Sequence, residues 1–169
     1  MAILELVTAP DPRLAICSQE VEEVTPNLQQ FMDDMVETMY AEEGIGLSAV
    51  QVGKHLRVLV MDMQEDGEKN PIYMVNPKII KSSDDENIYE EGCLSFPGQR
   101  AMVTRPTEVI VEYLDYNGKK QTMECDGLLA TCVQHELDHL NGVVFIDHVS
   151  KLKRELILRK VKKIKKLQS

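Results

Sequence analysis

The sequence predicts an α+β fold: mostly antiparallel β-sheets around a central helix carrying His135 and His139, with an N-terminal and a C-terminal helix. Three observations predict it. Strand-like segments precede the central helix without the strand–helix–strand rhythm of a parallel sheet. Asn117-Gly118 separates two of those segments, as it does in tight antiparallel hairpins. Apolar residues recur at helical spacing near both ends of the chain.

Thr25-Pro26-Asn27 opens the first helix, with Thr25 as N-cap and Pro26, which needs no amide partner, in the first turn. Leu28, Met32, Met35, Val36 and Met39 form its apolar stripe, and Gly44 closes it. From Gly44 the segment GIGLSAVQVG is a glycine-broken loop or strand. Arg57 to Met63 and Ile72 to Val75 are strands divided by a polar loop, Gln64 to Asn70, and Pro77 to Lys81 adds a short one. Glu108 to Tyr113 and Lys119 to Cys125 are the arms of a hairpin with a two-residue turn. The central helix runs from Gly127 to Asn141, with Asp126 as N-cap and Gly142 at its exit. A last helix covers Ser150 to Leu167, where Leu152, Leu156, Val161, Ile164 and Leu167 make an imperfect apolar stripe. No element is assigned to 82–107, which contains a proline-bearing loop around Cys93.

With 169 residues, 43% apolar and 28% charged, the chain has the balance of one globular domain, 1–169, its basic end at 151–169. The first residues lack the basic-then-apolar pattern of an export signal. No apolar stretch approaches the ~18 residues that span a bilayer, so no membrane role is expected. Cys17, Cys93, Cys125 and Cys132 show no disulfide-like spacing and read as cytosolic thiols. The net charge of −9 hides an asymmetry: nine of the 19 bases but only one of the 28 acids fall from Lys151 on. The rest of the chain is strongly acidic and repels phosphate backbones, which excludes sequence-specific DNA binding.

The strongest local signal is His135-Glu136-Leu137-Asp138-His139. Histidines four apart on a helix sit about 6 Å apart on one face, within reach of one cation. Glu136 is turned about 100° from His135, beside that cation, where it can take a proton from a metal-bound water. A catalytic site needs a third protein ligand. Phe145 stands where one metalloprotease pattern has its third histidine, which excludes that class. Cys132 is seven residues before His139, about 10.5 Å along the helix, too far to converge with it. Glu155 is better read as a solvated salt partner, and His55 and His148 as ordinary structural histidines. Cys93 remains: alone it is a buried thiol as readily as a ligand, but it completes a Cys-His-His set.

Three separated segments then act together. Gly44-Ile45-Gly46-Leu47-Ser48-Ala49-Val50-Gln51, Glu91-Gly92-Cys93-Leu94-Ser95 and Gln134-His135-Glu136-Leu137-Asp138-His139 resemble the three signature motifs of the peptide deformylases, in the same order and at similar separations. The similarity covers nearly the whole chain. One departure stands out: Ser48 occupies a place where the family usually has alanine.

The resemblance implies hydrolytic removal of the N-formyl group from the initiator methionine of new polypeptides, in the cytoplasm or an organellar matrix. It implies Fe(II) as native metal, with Zn(II), Ni(II) or Co(II) able to substitute. Gln51 and the Leu94 backbone N–H become the oxyanion donors. Glycines at 44 and 46 leave room for a peptide to pair as an extra strand along Ile45, Gly46 and Leu47. Leu128, Cys132 and Tyr89 line the methionine pocket on the family pattern, Arg100 touches the peptide, and Glu91 and Gly92 join the substrate-binding set. The basic last helix is expected to contact the ribosome. An endopeptidase, an inactive binding module and a structural zinc domain are the rivals. The first usually needs a longer cleft, and Glu136 argues against the other two.

Overall fold

The computed structural model describes residues 2–168. Helix α1, Pro26–Ala41, is capped by the Thr25 hydroxyl, which accepts from the Leu28 amide, and the expected apolar stripe is buried. Its end differs from expectation. Glu43, at φ 57°, takes the left-handed position, while Glu43 and Gly44 donate their amides to the carbonyls of Tyr40 and Met39. Gly44 has another reason to be glycine: a Cβ there would lie 2.8 Å from the Leu94 side chain.

Strands β1 (Gly46–Ser48), β2 (Val58–Met61), β3 (Ile72–Ser82), β6 (Glu108–Leu114) and β7 (Lys120–Asp126) form one antiparallel sheet in the order β1-β2-β3-β6-β7. The two short strands expected around Pro77 are one. A register shift between Val75 and Lys78 absorbs the proline, which cannot donate to the ladder, and Asn76 supplies the bend at φ 53°. The β6–β7 turn has three residues rather than two. Asp115 pairs with Lys119, Gly118 takes φ 80°, and the Asp115 carboxylate accepts the amides of Asn117 and Lys119. That carboxylate favours the longer loop with its left-handed glycine.

Residues 84–106 correct the sequence reading most. They contain β4 (Glu86–Cys93) and β5 (Phe96–Pro106), a separate two-stranded antiparallel sheet. Its inward row is Glu91, Ala101, Val103 and Arg105, so charge stands where an apolar alternation would have revealed the strands.

Helix α2, Gly127–Leu140, packs against β1, β2 and β7 and, on another side, against β5. It therefore touches both sheets. Asp126 stands at the N-cap position, but its side chain accepts no capping bond. At the other end Gly142 (φ 74°) and Val143 donate to His139 and Asp138. Helix α3, Lys151–Gln168, buries Ile157 and Val161 in the cluster that holds Phe96, Phe145 and Ile146. The anticipated stripe is thus wrong in its members: of the five residues only Val161 is buried, and Leu152, Leu156, Ile164 and Leu167 are exposed. Ahead of α1, Val7 and Ala9 donate their amides to the carbonyls of Gln51 and Ser95, tying two motif segments together.

A Cβ at Gly142 would stand 2.5 Å from the Ala15 carbonyl oxygen as well as needing a left-handed backbone. Gly142→Ala should therefore destabilise the protein by about 2–4 kcal/mol in urea unfolding. Gly67→Ala, left-handed but with nothing within 4 Å, should cost only about 1 kcal/mol. Equal losses would mean that the Ala15 contact is irrelevant.

Candidate metal centre

The first turns of α2 rise from the main sheet, and the helix then brings His135 and His139 to one face, ring centroids 5.1 Å apart. The tip of the β4–β5 hairpin supplies Cys93, just after a register shift at Gly92, and its sulfur lies 3.3 Å from His139 Nε2. Donor atoms of Cys93, His135 and His139 all fall within 4.8 Å of one another. Cys132 lies outside this cluster. It is buried beneath Ile45, its thiol donating to that carbonyl.

His135 is oriented from behind. Its Nδ1–H donates to Glu91 Oε1 at 2.9 Å; a carboxylate only accepts, so Nε2 is left to face Cys93 and His139. Arg105 donates twice to Glu91, at 2.7 and 3.0 Å, and once to Asp138 at 2.8 Å, an oxygen that also bonds His148. Burial alone would raise Glu91, but the bonds from His135 and Arg105 outweigh it and hold the carboxyl at about 2. Burial opposes charge on His135, yet its bonds to Cys93 and Glu91 and the charge of Glu136 push it well above the usual imidazole range. Burial, with the charges of His135 and Arg105, pushes His139 well below it.

Glu136 is buried at the cleft, and burial raises its carboxyl to about 7, the charge of His135 opposing the shift. Its Oε1 has no hydrogen-bond partner among the described residues, nor does His139 Nδ1. Two imidazoles and a thiol converge, with the Glu136 carboxylate lining the same cleft, and that donor set fits a borderline-soft divalent cation. Cys93, His135 and His139 would hold such a cation, with His135 binding as a neutral imidazole.

The cluster floors a cleft of about 560 Å³. Of the anticipated substrate residues, Ile45, Gly46, Tyr89, Glu91, Gly92, Arg100, Leu128 and Cys132 line it, together with Leu94 and Glu136. Leu47 does not. Strand alternation turns its side chain into the core under α1, leaving only its backbone toward the free edge of β1. The Glu91 side chain is committed to His135 and Arg105. Gln51 reaches the cluster from the 3-10 turn after β1 (Ala49–Val52), its Nε2 3.5 Å from Cys93 Sγ. Sequence reasoning missed Arg105, Ser95 and the lining residues Glu42, Glu43 and Thr131. Ser95 stood inside the Glu91–Ser95 motif without being given a role, and the two glutamates adjoin the glycine motif; Arg105 lay in a strand that was not foreseen.

The polypeptide deformylase family model matches residues 3–155. The chain belongs to the polypeptide deformylase family. It is 50% identical to the peptide deformylase of Rhizobium meliloti over 98% of this chain and 96% of the relative. Against that of Brucella suis the identity is 53%, over 97% and 94%. Among solved structures, peptide deformylase from Ehrlichia chaffeensis superposes with a TM-score of 0.94 at 44% identity, covering 99% of both chains. The same enzyme crystallised with actinonin gives 0.91 at 47%, over 96% of this chain and 98% of that one. As a deformylase the chain is a metal-dependent hydrolase of the N-formyl-methionine amide of new polypeptides.

A Cβ on Gly46 would stand 2.6 Å from Glu136 Oε2 and 2.8 Å from Cys132 Sγ, so a side chain there would have to displace the Glu136 carboxylate and the Cys132 thiol. Gly46→Ala should retain metal but lose about 10²-fold in kcat/KM on a formyl-methionyl peptide, the scale of a displaced catalytic group. An unchanged rate would show that Glu136 tolerates the shift.

Proposed function

We propose that this deformylase works through Cys93, His135 and His139 as metal ligands, Glu136 as general base, and Gln51 with the Leu94 backbone N–H as oxyanion donors. The observation that carries this reading is Glu136: enclosed, unpartnered at Oε1 and beside the convergent Cys-His-His set. A divalent cation held there, Fe(II) by preference with Zn(II), Ni(II) or Co(II) as substitutes, would supply Lewis acidity toward water and the formyl oxygen. Glu136 takes the proton of the attacking water and later delivers it to the departing amine. Burial gives it a proton affinity near neutrality, suited to both transfers. Gln51 Nε2–H and the Leu94 N–H, at the hairpin tip, meet the negative charge that develops on the formyl oxygen.

The peptide lies along the free edge of β1, pairing with backbone groups of Ile45, Gly46 and Leu47. Its methionine enters the space between Leu128, Cys132 and Tyr89, and Arg100 and Gly92 flank the chain that follows. Gly46 lets that chain come close because nothing projects from it. We also assign the whole of 1–169 to one catalytic unit, acting where new chains emerge, in the cytoplasm or an organellar matrix. No helix among the described residues is long and apolar enough to cross a membrane.

Helix α3 fits ribosome contact as well as packing. Only Ile157 and Val161 are buried, leaving a face with exposed Leu152, Leu156 and several cations free to meet an anionic surface.

Two measurements test the site. Glu136→Gln should keep one metal per chain and lose about 10²–10⁴-fold in kcat; loss of the metal would make Glu136 a ligand instead. In parallel, Cys93→Ala should abolish stoichiometric metal while Cys132→Ser retains it, and the reverse pattern would exchange their roles. For α3, truncation at Ser150 is unsuitable because it strips Ile157 and Val161 from the core. Lys160→Glu with Lys163→Glu should instead abolish salt-sensitive co-sedimentation with ribosomes while leaving hydrolysis of a short formyl peptide intact. Equal sedimentation of variant and parent would leave α3 a packing role only.

A further inference from the structure

We propose that Ser48 is a positioning residue for the oxyanion donor: its hydroxyl locks and polarises the Gln51 carboxamide. The inference deepens the mechanism above and rests on Gln51 acting as a donor. Ser48, Gln51 and Ser95 are buried together, between the end of β1 and the hairpin tip. Gln51 Oε1 accepts twice from one residue, from the Ser48 amide at 2.9 Å and from the Ser48 hydroxyl at 3.0 Å. On the other side Gln51 Nε2 donates to Ser95 Oγ at 3.1 Å and approaches Cys93 Sγ at 3.5 Å.

An amide oxygen has two lone pairs and an amide nitrogen two hydrogens, so this carboxamide is saturated. The backbone N–H of residue 48 by itself decides which way the amide faces. Reversed, Nε2 would meet another donor and Oε1 would face the sulfur. The hydroxyl does something further. By filling the second lone pair it draws electron density toward Oε1 and makes the Nε2 hydrogens stronger donors, because hydrogen bonds in series polarise one another. It also removes the freedom of a singly held amide to swing away from the cleft. The longer bond, to Cys93, is the weaker of the two, so its hydrogen is the one that can turn to the oxyanion. Alanine, usual at this position of the motif, fits the same space but leaves Oε1 with one donor.

The bland alternative is a small polar residue that has merely found a partner. Kinetic coupling and a spectroscopic signal separate the two. In metal-loaded protein Ser48→Ala should lower kcat about 3- to 10-fold, the worth of one neutral hydrogen bond, with KM nearly unchanged. Ser48→Cys, a weaker donor, should fall between. In a Gln51→Ala background the Ser48→Ala change should have no further effect on kcat. In the cobalt-loaded protein the thiolate-to-metal absorption should shift in Ser48→Ala, because the Nε2 contact to Cys93 loosens. The proposal is overturned if Ser48→Ala leaves both kcat and the absorption at parent values, or if it costs the same with Gln51 already removed. Gln51→Ala alone retaining full kcat is a distinct result, which would overturn the donor role itself.

Discussion

The Glu91 carboxylate is the joint on which the rest of the site depends. It sits on the inner face of β4, accepts two bonds from Arg105 on β5, and accepts a third from His135 on α2. Arg105 reaches past it to Asp138 one helical turn along. The small sheet is thereby fastened to the helix by charge-assisted bonds at two successive points. Cys93 is presented from that small sheet and the histidines from the helix, so this fastening sets the distance between thiol and imidazoles. Such an arrangement is stable only when complete. A buried carboxylate and a partly exposed one share one buried guanidinium, so removing Glu91 or Arg105 leaves its partner as an uncompensated buried charge, a loss of about 3–5 kcal/mol in comparable cases.

The same logic explains which parts of the molecule were legible in the sequence. The histidines and Glu136 were, because helical spacing alone places them around one point. Helix α1 was, because Thr25, Pro26 and a regular apolar stripe leave little choice. The β4–β5 hairpin was not, since its inward positions include Glu91 and Arg105, which resemble surface residues until their partners are known. The apolar face of α3 was misjudged for a related reason. Leucines outnumber the buried residues on that helix, and only the packed structure shows that Ile157 and Val161 are the ones turned inward. For the site itself, motif order brought Gln51 and Cys93 into the same reading as the helix, while Arg105 and the bond between Gln51 and Ser95 needed the tertiary fold. The turn at Asn117-Gly118 was recognised as a turn but misjudged in length, because the Asp115 side chain, outside the dipeptide, sets it.

Enclosure on one side and access on the other divide the site by chemistry. Against the main sheet, Gly46 of β1 faces the Glu136 and Cys132 side chains of α2, and Glu136 is buried there. Desolvation raises the Glu136 carboxyl to about 7, against the opposing influence of His135. Toward the β4–β5 hairpin the cleft opens, with Leu128 and Tyr89 still partly exposed. The cleft is thus closed at the Glu136 end and open to solvent at the hairpin end.

Strand β1 is only three residues long and lies at the edge of its sheet. A free edge is ordinarily a hazard, since it invites pairing with any stray strand, but one this short cannot hold a long segment in register. It can offer its amides and carbonyls to roughly two or three residues of another chain. Those groups are chemically the same in every protein. An edge of this kind reads the end of a chain and ignores its message, so a peptide lying there, as proposed above, would be held alike whatever its downstream sequence.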